Sequence, residues 1–197
     1  MSPRIRFSEA KQVFEAFKTA KRDVGASPAD DEPPTAFLRR LAGGPRPAQA
    51  IAFCAYLLPR REAVWWACQC VRAIEPAAAE DAALAAAEEW VRAPEEEARR
   101  AALDIGAAGE PKIATVWLAR AAGWSGGSVA PADRRTIPAP PYMTAKAANA
   151  AIAIAIGKAP IRSQHAWRIA CAEAGIRFAE GGDARPTIAA QPSRPPR

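Results

Sequence analysis

The chain has 197 residues, a formal net charge of +6 and a composition that is 50% hydrophobic and 24% charged, enough for one domain with its own core. About a quarter of it is alanine, with too few Val, Thr and Tyr for strands, which excludes an all-β protein and argues against a doubly wound α/β fold. The basic excess lies mainly at the two ends, while the middle is acidic, so no cationic stripe marks a nucleic-acid binder.

In chain order, Ser8 is placed to cap a helix carrying Val13, Phe14 and Phe17 and ending near Val24 and Gly25. A polar linker follows from Ser27 to Pro34, and Thr35 is placed to cap a short helix from Ala36 to Leu41. An almost wholly apolar helix is predicted over Pro47 to Leu58, and another from Arg60 to Ile74 after Pro59. Pro76 opens an Ala- and Glu-rich helix to Arg92. Pro94 opens the next, with glutamates in its first turn, where acids complement the positive helix end. Pro111 opens a segment from Lys112 to Ala122, closed by Gly123. Residues 124–143 form a long proline-rich loop, of the kind that packs on a surface or carries function. Thr144 then caps a helix to Ile156, and a last helix spans Ile161 to Phe178. The expectation is an all-α fold of about eight helices in one domain. It divides into a basic N-terminal helix and linker (1–34), a helical core (35–180) and a disordered basic tail (181–197). No fixed-period repeat supports a helical solenoid. No signal peptide or bilayer-spanning run is present, and a cytoplasmic location is expected.

Chemistry-bearing patterns are few. Gly123-Trp-Ser125-Gly-Gly127 fits G-x-S-x-G, and Asp133 and His165 follow in hydrolase order. The motif needs a strand-to-helix elbow to expose its serine, and an Ala-rich helix precedes it instead. His165 has neither a nucleophile nor a carboxylate at helical spacing. Cys54, Cys68, Cys70 and Cys171 lie in apolar segments. Cys68 and Cys70 diverge by about 200° on one helix, so they cannot chelate one ion, and buried thiols without a bound metal are expected. No cofactor is expected. Gly157-Lys158 lacks the other residues of a phosphate loop.

Two adjacent tryptophans are more informative. Trp65 and Trp66 lie about 100° apart on their helix. Trp66 borders the apolar arc of Ala63, Ala67, Cys68, Cys70, Val71 and Ile74, whereas Trp65 falls among Arg61, Glu62, Gln69 and Arg72. Either the 124–143 loop covers Trp65, or Trp65 anchors a protein partner with Arg61 and Arg72 stacked on it, with Trp124 as a second contact. The leading functional expectation is a non-catalytic interaction module. The alternatives are an enzyme built on Ser125, Asp133 and His165, and a non-specific nucleic-acid binder.

Residues 58–70 (LPRREAVWWACQC) and 124–131 (WSGGSVAP), with the proline-rich continuation to Thr144, resemble an uncharacterised family of bacterial all-helical proteins associated with type VI secretion gene clusters. The resemblance covers about residues 35–175 and carries no catalytic residue. It implies an accessory or adaptor role in the cytoplasm.

Overall fold

The computed structural model describes residues 3–130 and 135–188. Among them it has ten α-helices, one 3₁₀ turn and no strand, only an isolated bridge between Ser128 and Pro138. The helices are α1 (Ala10–Ala16), α2 (Ala20–Val24), α3 (Pro34–Ala42), α4 (Ala48–Leu57), α5 (Arg60–Ile74), α6 (Ala82–Arg92), α7 (Glu96–Ala108), α8 (Ala114–Gly123), α9 (Met143–Lys158) and α10 (Ile161–Ala179). No helix among the described residues is long and apolar enough to cross a membrane.

Two expected helices are each divided. The first breaks at Phe17, whose backbone (φ −129°, ψ 89°) leaves the helical region while its ring packs 5.4 Å from that of Tyr56. The second breaks at Asp81. Residues Pro76–Glu80 form the 3₁₀ turn, and the Asp81 carboxylate then accepts the amides of Ala83 (2.8 Å) and Leu84 (3.3 Å) to start α6. Thr144 does not cap α9. Its hydroxyl instead donates to the Trp124 carbonyl at 3.1 Å and fastens the long loop to that helix.

Helices α8 and α9 lie at the centre, α8 against α6, α7 and α9, and α9 against α4, α5 and α8. Alanine makes this packing close. A Cβ on Gly123 would lie 2.6 Å from the Leu103 Cα, so α7 and α8 touch there almost backbone to backbone. Helix α4 is buried all round from Ala50 to Leu57, as its apolar sequence demands.

The described N-terminal residues, 3–34, join this core. Phe14 of α1 stacks on Phe53 of α4 at 5.6 Å, and Phe37 of α3 meets Phe53 edge-on at 4.7 Å. The described start of the C-terminal tail is also packed, with Ala184 and Pro186 buried. Residues 189–197 of the expected disordered tail lie outside the described residues.

The described residues of the long loop do not line the groove in which Trp65 stands. Arginines of α5 and α7 hold the loop elsewhere: Arg60 donates to the Ser125 carbonyl (2.5 Å), Arg99 to those of Gly123 (2.5 Å) and Ser128 (3.2 Å), and Arg100 to that of Ala130 (2.5 Å). A guanidinium offers five donors in a fixed fork, which suits it to gathering the carbonyls of an irregular segment.

Candidate functional site

Trp65 stands half-buried in an open groove of about 440 Å³. Helix α5 contributes Arg61, Glu62 and Trp65, which share a face because they are three and four residues apart. Helix α6 contributes Glu88, Val91 and Arg92 by the same spacing, and Arg4 and Phe178 close the far side. Arg61 does not stack on Trp65. Its Nε donates to the Val91 carbonyl at 2.6 Å, where a cation also meets the negative end of α6. Arg72 is likewise engaged, through paired hydrogen bonds of 2.6 and 2.7 Å to the Glu88 carboxylate. That bidentate pair holds α6 against α5 and leaves Arg72 outside the groove lining.

Arg4 completes the wall from the other end of the chain. Its guanidinium lies 4.2 Å from the Phe178 ring centroid and donates to the carbonyls of Phe178 (2.9 Å) and Gly182 (2.7 Å). The sequence reading singled out Trp65 and Arg61 but missed Arg4, Val91, Arg92 and Phe178. No local pattern signals a contact between residues 174 apart.

Trp124 belongs to a separate hollow of about 510 Å³, lined also by Trp117, Tyr142, Met143 and Lys146. It meets Trp117 edge-on at 6.2 Å. Lys146 pairs with Asp23 there at 2.8 Å. Burial alone would raise the Asp23 pKa, but hydrogen bonds from Lys146 and Tyr56 outweigh it and hold the carboxyl below its usual range.

The two described hydrolase-like residues, Ser125 and His165, do not share a pocket. Ser125 is buried, its carbonyl accepting from Arg60, whereas His165 is exposed on α10 and lines a hollow with Arg39, Gly44, Glu173 and Glu180. Asp133 lies outside the described residues.

All four cysteines are buried and free. Burial pushes the thiols of Cys54, Cys68 and Cys70 well above the usual cysteine range, and Cys70 contacts Cys171. A thiolate is the reactive species, so a maleimide or disulfide reagent should label the native protein slowly and all four thiols rapidly in denaturant. Rapid native labelling of any one of them would contradict this packing.

No curated protein and no solved structure matches the chain. One protein family does, over residues 37–179, a span from α3 to the end of α10 that includes the α5 and α6 walls of the groove. The chain thus belongs to the family of unknown function DUF6931.

Proposed function

We propose that the chain is a non-catalytic protein-interaction module that docks a partner in the Trp65 groove. The observation carrying this reading is a large indole left half-exposed on a helix pair fixed by the Arg72–Glu88 pair and the Arg61 cap. Tryptophan and arginine are enriched among residues that dominate binding energy, and a rigid support lowers the ordering cost of binding. The likeness of residues 58–70 and 124–131 to secretion-associated proteins supports the finer reading, an accessory of a type VI secretion system working in the cytoplasm.

The test is co-purification from nuclease-treated native lysate, with the captured proteins identified by mass spectrometry. Trp65→Ala should lose the recurrent partner at a stability cost of about 1–2 kcal/mol, below that of a fully buried tryptophan. Retention of the partner by a folded Trp65→Ala variant would place the interface elsewhere. Loss of every wild-type partner on nuclease treatment would favour nucleic acid.

A further inference from the structure

The groove has an aromatic lining, Trp65 and Phe178, and a charge pattern that selects among partners. Arg4 and Arg61 are both hydrogen-bonded, yet their acceptors are backbone carbonyls: Phe178 and Gly182 for Arg4, Val91 and Arg92 for Arg61. A carbonyl fixes a guanidinium in space without cancelling its charge. The other arginine of the groove is matched, since Arg92 pairs with Glu89. Of the two carboxylates, Glu88 is committed to Arg72, and Glu62 enters no ion pair among the described residues. What faces an occupant is therefore two positioned cations, one free carboxylate and the half-exposed indole of Trp65, the Phe178 ring being buried beneath Arg4.

We infer that the groove binds an acidic peptide segment in which a carboxylate side chain adjoins an aromatic one. The inference rests on reading the groove as a docking site. The carboxylate takes the unused N–H groups of Arg4 and Arg61, the aromatic ring packs on Trp65, and Glu62 accepts a backbone N–H of the peptide. Charge-assisted bonds of this kind are about twice as strong as neutral ones. A volume of about 440 Å³ accommodates a few side chains. A polyphosphate fits less well, because its concentrated negative charge would lie against the free carboxylate of Glu62. A cationic segment would meet Arg4 and Arg61.

The test titrates the full-length ¹⁵N-labelled chain with three acetylated and amidated peptides, Glu-Glu-Phe-Glu, Lys-Lys-Phe-Lys and Glu-Glu-Gly-Glu, and with ATP. The readout is the indole N–H resonance of Trp65, assigned by its loss in Trp65→Phe. The acidic aromatic peptide should shift it saturably, with an affinity at least about tenfold above the other three probes, a difference of 1.4 kcal/mol. Arg4→Gln and Arg61→Gln should each weaken that peptide about fivefold or more, with folding checked by circular dichroism. The comparison among probes on the wild-type chain stands even if either variant unfolds. Equal binding of the lysine peptide would overturn the charge assignment while leaving the docking reading intact. Preferential binding of ATP would overturn it in favour of a nucleotide site. An unmoved Trp65 signal with every probe would overturn it outright, and partner capture by wild type and Trp65→Ala would then judge the docking reading separately.

Discussion

Arg99→Ala is expected to destabilise the protein by about 2–4 kcal/mol and to release the loop that follows α8. Arg99 is a charged side chain only 4% exposed. It reaches the Glu96 carboxylate through Nε and Nη2, both at 2.6 Å, and the carbonyls of Gly123 and Ser128 at 2.5 and 3.2 Å. Glu96 is 62% exposed at its side chain, so water recovers most of that pairing energy when the arginine is removed. The buried carbonyls have no such recourse, and each orphaned one costs about 1–3 kcal/mol. Urea unfolding gives the stability change, and limited proteolysis should show new cleavage within 124–143. A change under about 1 kcal/mol with an unaltered digest would remove Arg99 from this role.

The same cluster sets an acid dependence. Hydrogen bonding to Arg99, then to Arg100, draws the Glu96 carboxyl from 4.5 down to about 2. A carboxyl depressed by folding contributes stability that is complete above its unfolded value. That contribution is lost as pH falls from about 4.5 towards 2. The acid limb of the wild-type stability curve should therefore be shallower in Arg99→Ala.

Trp66→Ala should cost more, about 3–5 kcal/mol. Its ring is fully buried, and its indole N–H donates to the Cys171 carbonyl of α10 at 3.1 Å. Gly175 makes room for it, since a Cβ there would lie 3.1 Å from the ring and 2.6 Å from the Cys54 sulfur. Truncation would leave a cavity where α4, α5 and α10 meet. Trp66→Phe keeps part of the packing and should fall well short of the alanine variant. Equal losses for Trp65→Ala and Trp66→Ala in urea would refute the assignment of one to the groove and the other to the core.

The contrast between these neighbours shows what the sequence could and could not convey. Period and proline placement are local, and they suffice to put Trp66 inward, Trp65 outward and the ends of α5 at Arg60 and Ile74. The break at Asp81 was also locally encoded, as a capping aspartate, but the alanines on both sides continue a helix equally well. What surrounds Trp65 was not locally encoded. The charged residues near it implied stacking arginines, yet Arg61 and Arg72 had stronger partners in the end of α6 and in Glu88. The loop implied a cover, yet its carbonyls were claimed by Arg60, Arg99 and Arg100. In each case competition among partners decided the outcome, and the competitors lie on other helices.

The contact between Arg4 and Gly182 has a consequence for synthesis. The two residues are 178 positions apart, so a ribosome working at about 5–20 residues per second takes on the order of 10–40 s to pass from one to the other. Once Arg92 has been made, α5 and α6 can pair for the rest of that interval, while the far wall of the groove does not yet exist. A nascent chain therefore presents Trp65 uncovered on one side, as a surface for chaperones. The groove is therefore completed only after both its other walls have been made, and a chain stalled before Phe178 would lack the wall that Arg4 and Phe178 form.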